Sequence, residues 1–324
     1  MELEMCNDFF TENDINNLPT APPGGIQLPP GGGTLEFQVN HHVFYDASGD
    51  PNSIDMDEEI IARLMDDLNE EFTAISVEFR LGCIYYHNSN TYNNSLINNL
   101  LAEAHGIYGI PGSFNVYYSN SGACGQAYIG ERSFAYSGIS ITDICVQTES
   151  KTFVHEFGHR FGLLHTHEGN YSLSCTQGNE LVDGSNCLTK GDRICDTPAD
   201  PNLQGRMSGC SYTGTCTDSN GDTYNPLTNN YMSYGTRECS TSFTSDQYAI
   251  MSVLANGSNF SQFLISESNL GTKTYSSNNQ ISNQAVTYSN LTITSGANLT
   301  IDACEMTIEN SLTINPGSQL TIDN

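Results

Sequence analysis

The sequence is poor in basic residues. Lys and Arg number 10 against 37 Asp and Glu, which gives a formal net charge of −27 over 324 residues. Nucleic-acid binding depends on basic patches that contact phosphates, so this balance argues against that function. An acidic surface instead favours solubility, bound divalent cations or a saline habitat, although a well-solvated acidic surface needs no such role.

Long apolar runs are also missing. No run reaches the roughly 18–20 residues of a transmembrane helix, which excludes a membrane span. The start, from Met1 to Met5, has neither a basic n-region nor an apolar h-region, so we expect a signal peptide to be absent or already removed. No EF-hand pattern occurs, which disfavours a calcium-binding structural protein. The length allows one large domain or two modest ones.

The most informative stretch runs from Thr152 to His165 and contains the pattern His-Glu-x-x-His. His155 and His159 are four residues apart, so on a helix their imidazoles lie one turn apart on one face. This spacing allows two imidazoles to bind one zinc ion. Glu156 can reach a water on the metal rather than the metal itself, which suits a general base.

A third zinc ligand cannot come from the same helix. His165 is ten residues after His155, about 15 Å along a helix axis, so the helix has to end and the chain has to turn back. Gly162 lies where this break is needed, because glycine tolerates a positive φ. The three ligands His155, His159 and His165 leave a fourth position open for water, as a catalytic zinc site requires. A chance match or a core histidine pair is the alternative, which the extended pattern disfavours.

The chain has 11 cysteines, and six of them crowd into the segment after this motif. These six are Cys175, Cys187, Cys195, Cys210, Cys216 and Cys239. Such density in a loop-rich segment is typical of disulfide-linked, secreted proteins, whereas the lack of a Cys-x2-Cys pair disfavours a structural zinc site. The count is odd, so at least one thiol is left over, for which Cys6 and Cys304 are the isolated candidates.

The same segment has few helix or strand signals, and cross-links would explain its length. It also carries five acidic residues, Glu180, Asp183, Asp192, Asp196 and Asp200. Clustered carboxylates and loop carbonyls bind Ca²⁺, so a calcium site within Asp183–Asp200 is one hypothesis and solvated loop acids are the alternative.

Composition and periodicity divide the chain into three parts. Residues 1–33 are acidic and then rich in Pro and Gly, which indicates a leader or linker. Residues 34–265 alternate strand and helix patterns, which predicts an α/β catalytic domain. Residues 266–324 contain short repeats such as Leu291-Thr-Ile and Leu299-Thr-Ile, which favour a β-solenoid or a small all-β module.

Within 34–265 the clearest helix pattern is Asp57–Phe72, an amphipathic stretch that we expect to pack on a sheet. A weaker helix pattern covers Asn94–His105, and another helix opens with Thr244 as its N-cap. Strands are predicted at Thr34–Tyr45, Ile75–Tyr86, Phe114–Tyr118, Gly125–Gly130 and Ser137–Cys145. Gly125–Gly130 is the candidate edge strand to which an extended substrate could add.

Two further segments extend the zinc motif. They are Gly191-Asp-Arg-Ile-Cys-Asp-Thr-Pro198 and Asn230-Tyr-Met-Ser-Tyr234. Together these motifs resemble the pappalysin family of metzincin zinc metallopeptidases, the cytophagalysin-like peptidase family M43. The resemblance covers about residues 35–255 and is specific in 150–250. It implies an α/β (α+β) metzincin-like catalytic domain with a mixed sheet, a zinc-binding active-site helix and a Met-turn, followed here by the small C-terminal all-β repeat segment.

On matching positions, the resemblance implies roles for two residues after the zinc motif. Met232 would lie in the tight turn beneath the zinc, and Tyr234 could approach the metal or the oxyanion from that turn. Family members often have Asp where this chain has Ser233, and Pro-Gly where it has Ser245-Asp246. Neither departure touches a zinc ligand.

The resemblance also bears on calcium and on disulfides. It supports three residues as calcium ligands, namely Asp192, Asp196 and Thr197. It likens Cys210 and Cys239 to a family disulfide that ties the cysteine-rich loop to the Met-turn segment. The pairs Cys187 with Cys195 and Cys175 with Cys216 are further hypotheses, because the additional cysteines leave the pairing ambiguous.

The sequence is therefore interpreted as a secreted, extracellular zinc metalloendopeptidase that hydrolyses peptide bonds in protein or peptide substrates through a zinc-activated water. Zn²⁺ is the expected cofactor, with Ca²⁺ as a possible second ion, and nucleic acid is not an expected partner. The alternative is a non-catalytic secreted adhesion or binding module that retains a zinc site. Glu156 argues against that alternative, because a purely structural site does not need it. Oligomeric state and cleavage preference are not predicted.

Overall fold

The structure is a computed structural model. It describes residues 18–21, 33–46, 48, 54–96, 99–130, 138–170, 180–265, 272–282, 286–294, 296–302 and 306–322. Most of the predicted leader at 1–33 lies outside these described residues, as do Cys6, Cys175 and Cys304. None of the helices within the described ranges is long and apolar enough to cross a membrane.

A five-stranded mixed sheet organises the region that contains the histidine motif. Its strands are β1 (Leu35–Tyr45), β2 (Val77–Asn88), β3 (Phe114–Ser119), β4 (Gly125–Ala127) and β5 (Ile139–Thr142). They lie in the order β2-β1-β3-β5-β4, with the first four parallel and β4 antiparallel to β5 at one edge. All of β3 is buried, as expected for a parallel strand that is covered on both faces.

Five α-helices accompany this sheet in the described chain. They are α1 (Glu58–Phe72), α2 (Asn90–Asn94), α3 (Asn99–Tyr108), α4 (Lys151–Arg160) and α5 (Ser245–Ala255). The predicted helix at Asp57–Phe72 is confirmed as α1, whose N-cap Asp57 accepts a hydrogen bond from the Ile60 amide at 2.8 Å. The N-cap at Thr244 is also confirmed, within a capping box that includes Gln247.

Three boundary predictions are wrong in detail. The single helix at Asn94–His105 is replaced by α2, which Ser89 caps, and by α3, because the backbone becomes extended at Ser95. The strand at Gly125–Gly130 ends at Ala127, and Gly130 turns the chain at φ +65° toward the carbonyl of His159, to which its amide donates at 3.0 Å. The strand at Ser137–Cys145 is β5 followed by a 3₁₀ turn, and Ser137 lies outside the described residues.

Phenylalanine rings hold α4 against the sheet and against α1. The ring of Phe157 in α4 lies 5.0 Å from that of Phe79 in β2. The ring of Phe161, just after α4, lies 5.0 Å from that of Phe72 at the end of α1. Edge-to-face pairs of this kind contribute about 0.5–1.5 kcal/mol each beyond the burial of their area. The helix that carries the histidines is thus fixed by the main hydrophobic core.

The C-terminal part forms a second hydrophobic cluster between two parallel sheets. Its strands are β6 (Thr272–Tyr275), β7 (Asn279–Ser282), β8 (Val286–Ile293), β9 (Asn298–Asp302), β10 (Met306–Ile314) and β11 (Gln319–Ile322). The even-numbered strands form one three-stranded sheet and the odd-numbered strands form the other. Leu291 and Leu299 are fully buried and lie opposite Leu312 and Leu320, so equivalent repeat positions pair with each other.

Candidate active site

Helix α4 presents two histidines whose tautomers are set by backbone carbonyls. The Nδ1 atom of His155 lies 2.6 Å from the carbonyl oxygen of Tyr231, and that of His159 lies 2.8 Å from the carbonyl oxygen of Leu163. A carbonyl can only accept a hydrogen bond, so each Nδ1 carries the proton. Each Nε2 is therefore left with a lone pair that can bind a metal, the arrangement expected of histidine ligands.

The third histidine completes a cluster. One ligand atom from each of His155, His159 and His165 lies within 4.8 Å of the others, and the Nε2 atoms of His159 and His165 are 3.1 Å apart. Burial lowers the pKa of His155 to about 4 and lowers the pKa values of the other two well below the usual range. The imidazoles are thus neutral at physiological pH. Three neutral imidazoles that converge in this way fit a divalent cation such as zinc.

The chain turns between the second and third histidines as the sequence predicts. Helix α4 ends at Arg160, and Gly162 follows with φ +91°. The positive φ of Gly162 favours glycine, and a Cβ there would lie 2.1 Å from Cδ1 of Leu254 and would force that side chain to shift. Beyond the turn, the amide of Thr166 donates to the carbonyl of Met232 at 3.1 Å and joins the third histidine to the segment around Met232.

Met232 packs directly against helix α4. It is fully buried, and a Cβ at Gly158 would lie only 2.6 Å from the Met232 sulfur. Gly158 precedes His159, so the thioether contacts the helix between the first two histidines. The amide of Met232 donates to the side-chain oxygen of Asn230 at 2.9 Å, which helps to fix this turn.

Glu156 is buried and close to the edge strand. Its exposed fraction is 2%, and a Cβ at Gly125 in β4 would lie 2.3 Å from Oε1. Its Oε2 atom has no hydrogen-bond partner within the part of the chain that the structure describes. Burial raises the pKa of this carboxyl well above its usual range. An unsatisfied carboxylate oxygen in a cleft beside His155 also fits a site that takes a cation and water.

Tyr234 lies beside the histidines and lines the same cleft as Glu156. Its ring centroid is 4.6 Å from that of His165 and 4.4 Å from that of His167. His167, which the sequence motif did not indicate, is buried and stacks on His165, with the two ring centroids 4.9 Å apart. The only local signal for it is the His-x-His spacing.

Comparison with known proteins identifies the family. The sequence pattern of the peptidase M43 family, described as pregnancy-associated plasma protein-A, matches residues 84–255. The chain belongs to this family of metalloproteases. It is 27% identical over 237 residues to an extracellular metalloprotease from Colletotrichum graminicola, a match that covers 67% of this chain and 77% of that protein. A second extracellular metalloprotease from the same organism is 30% identical over 155 residues, which is 43% of this chain and 48% of that protein.

Among solved structures, metalloproteinase-II from Bacteroides fragilis is similar at 16% identity and a TM-score of 0.30. That match covers 47% of this chain and 50% of the other. A similarity at this level carries no conclusion about the fold. The family assignment therefore depends on the sequence, and the M43 region includes all three histidines and Glu156.

One buried residue of this M43 protease connects the third histidine to the Met232 turn. Asp200 is 3% exposed, and its Oδ2 atom accepts hydrogen bonds from the hydroxyls of Thr166 and Ser233, both at 2.6 Å. Its Oδ1 atom accepts from the amide of Asn202 at 2.7 Å. Thr166 follows His165 and Ser233 follows Met232, so one carboxylate holds both segments. From the sequence, Asp200 was identified only as an acidic loop residue, because no local pattern links it to positions 166 and 233.

The residues predicted as calcium ligands do not all come together. Oδ1 of Asp192 accepts from the Thr197 hydroxyl at 2.8 Å and from the Ile194 amide at 3.0 Å. The Asp196 carboxylate instead accepts from the Thr244 hydroxyl at 2.7 Å, at the N-terminus of α5. Within the described ranges, the three histidines are the only group of three or more His, Cys, Asp or Glu side chains with converging ligand atoms.

The structure contains disulfides between Cys187 and Cys195, between Cys210 and Cys239, and between Cys124 and Cys145. The first two pairs are those proposed from the sequence, and the third was not foreseen. It joins the start of β4 to the turn after β5 and so supports the edge strand beside Glu156. Cys216 is also disulfide-bonded, but the predicted partner Cys175 lies outside the described residues.

Proposed function

We propose that this M43 metalloprotease is a secreted zinc endopeptidase that hydrolyses peptide bonds in proteins. The observation that carries the proposal is the convergence of His155, His159 and His165 beside the buried carboxyl of Glu156, which lines a cleft together with His155. The disulfides and the extracellular metalloproteases among its relatives support secretion.

His155, His159 and His165 would hold the zinc ion through their Nε2 atoms. Zinc bound to three imidazoles lowers the pKa of a water toward about 7 and polarises a carbonyl group. Glu156 would accept the proton of the attacking water and deliver it to the leaving amine. The Tyr234 hydroxyl would donate a hydrogen bond to the oxyanion that develops on the substrate carbonyl.

The edge strand β4 supports a binding mode for the substrate backbone. Strand β4 pairs with β5 on one side only within the described sheet, and Gly125 at its start adjoins Glu156. An extended peptide could add to such an edge by main-chain hydrogen bonds. The scissile bond would then lie across Glu156 and the histidines.

A calcium ion near Asp192 stays a separate hypothesis. The Oδ2 atom of Asp192 is buried and has no hydrogen-bond partner among the described residues. Burial raises the pKa of this carboxyl, and burial next to Asp192 and Asp200 raises the pKa of Glu180 to about 9. A cation would relieve the cost of burying these carboxylates together. A rise in melting temperature on addition of Ca²⁺ to chelator-treated protein would support the site, and an unchanged melting temperature would count against it.

The endopeptidase is tested by digestion of a denatured protein library, with mass spectrometry of the new termini. We expect cleavage that disappears with a zinc chelator and returns when Zn²⁺ is added. The variant Glu156→Gln should keep one zinc per chain, measured by atomic emission, and lose turnover by at least about 10³-fold. Retained activity in that variant would show that Glu156 is not the base. The absence of cleavage by zinc-loaded, folded protein would favour the binding-module alternative.

A further inference from the structure

We propose that the cleft beside Glu156 recognises an acidic side chain, Asp or Glu, of the residue next to the scissile bond. The inference rests on the proposed endopeptidase function and adds the substrate class. Two basic residues carry it, Lys151 and Arg237, which line the same cleft as Glu156 and His155. Lys151 begins helix α4, and Arg237 belongs to the segment that follows Tyr234.

The local charge of this cleft is opposite to that of the whole chain. The chain has 10 basic residues against 37 acidic ones, yet two of those 10 line this one cleft. Glu156 is the only carboxylate among the described residues that line it. A lysine or arginine of the substrate would therefore meet two like charges, whereas a carboxylate would meet two cations. The first turn of α4 adds a partial positive charge on the same side.

A carboxylate of the protein holds Arg237 without entering the cleft. Nη1 of Arg237 donates to the carbonyl of Cys145 at 3.0 Å and lies 3.5 Å from a carboxylate oxygen of Glu149. Neither Glu149 nor Cys145 lines the cleft. The Arg237 side chain is 36% exposed, so part of the guanidinium stays available to a ligand. This arrangement positions the cation but leaves donors for a second carboxylate.

Lys151 is held through a tyrosine. Its Nζ atom lies 3.4 Å from the hydroxyl of Tyr231 and 5.4 Å from the centre of that ring. The Tyr231 hydroxyl donates in turn to Glu71 at 2.6 Å, and the backbone amide of Lys151 donates to the carboxylate of Glu149. Within the described residues, Lys151 forms no ion pair at 4.0 Å or less. Its ammonium is therefore oriented by Tyr231 and not neutralised by direct contact.

Cleavage of matched peptides tests the inference. A peptide library of known sequence would first show on which side of the scissile bond Asp or Glu is enriched among the cleaved peptides. Three peptides that differ only there, with Glu, Gln or Lys, would then be compared by kcat/KM on the zinc-loaded full chain. We expect Glu to be cleaved fastest and Lys slowest, with about tenfold or more between them, and the difference to shrink in high salt.

Charge reversal at the cleft should reverse this order. In Lys151→Glu, kcat/KM for the Lys peptide should rise about tenfold or more relative to kcat/KM for the Glu peptide. The position of Lys151 in the first helical turn accepts a negative charge, so folding should survive. Arg237→Gln is the milder second variant and should weaken the preference for Glu. Lys190→Glu is the control, since it makes the same charge change at an exposed residue outside the cleft and should keep the wild-type order.

The outcomes separate this inference from the function on which it rests. Zinc-dependent cleavage without preference for Asp or Glu, or a preference that neither Lys151→Glu nor Arg237→Gln changes, would overturn the acidic specificity and leave the endopeptidase intact. No cleavage of any peptide by zinc-loaded wild type would overturn the endopeptidase and the specificity with it. An equal shift in Lys190→Glu would show that net charge, and not this cleft, selects the substrate.

Discussion

Replacing Asp200 by alanine should weaken both the fold and the metal site. The carboxylate accepts three hydrogen bonds, from Thr166, Ser233 and the amide of Asn202. Two of these donors, Thr166 and Ser233, directly follow His165 and Met232 in the chain. Loss of the carboxylate therefore releases the third histidine from the turn that supports the first two.

The size of the effect follows from the contacts. A hydrogen bond to a charged group contributes about 1.5–3 kcal/mol, so three would give about 4–9 kcal/mol. Part of this is already offset, because burial of the carboxylate is costly and raises the pKa of Asp200. We expect a net loss of about 3–5 kcal/mol in the free energy of unfolding for Asp200→Ala. Asp200→Asn keeps the shape and the bond to Asn202, and should lose about 1–2 kcal/mol.

Urea unfolding and zinc competition measure the two consequences separately. Zinc affinity should fall about 10–100-fold in Asp200→Ala, as expected when a residue that orients ligands is removed. Asp183→Ala is the control, because Asp183 is an exposed acid of the same loop and should change stability by less than about 0.5 kcal/mol. A loss below about 1 kcal/mol in Asp200→Ala, with zinc affinity unchanged, would refute the linking role of this carboxylate.

Two further predictions concern packing and pH. Gly158→Ala should lower the free energy of unfolding by about 1–3 kcal/mol and reduce zinc affinity, because the new methyl group would lie 2.6 Å from the sulfur of Met232. The control is Gly106→Ala in α3, where the methyl group meets open space; urea unfolding should show unchanged or higher stability. The pKa of Glu180 is raised to about 9, so in chelator the folded state binds an extra proton from about pH 4.5 to 9 and its stability should fall as pH rises through that window. Glu180→Gln should reduce the pH dependence of the melting temperature, and an unchanged pH dependence would contradict the raised pKa of Glu180.

Local sequence patterns were sufficient to predict those features that depend on residues near each other in the chain. The apolar spacing of Asp57–Phe72 predicted α1, because one helical face packs on the core. The spacing of His155, His159 and Gly162 predicted a helix and its break, since both depend on local backbone geometry. The place of His165 beside them also depends on the contacts of Thr166 with Asp200 and Met232. The predicted end of β4 was wrong because the turn at Gly130 is set by a contact with α4 and not by its neighbours in sequence.

Tertiary structure decided what depends on residues far apart in the chain. Arg160 looks like a polar helix position, but packing buries it entirely against the rings of Phe114, Phe260 and Phe263. Asp196 was predicted as a calcium ligand, and the fold also places its carboxylate at the start of α5, where it accepts hydrogen bonds from the Thr244 hydroxyl and the Asp246 amide. The sequence by itself therefore determined the histidine motif on helix α4 and the turn that follows it. The hydrogen bonds of Asp200 and the placement of Lys151 and Arg237 in one cleft depend on long-range packing, which local sequence periodicity does not encode.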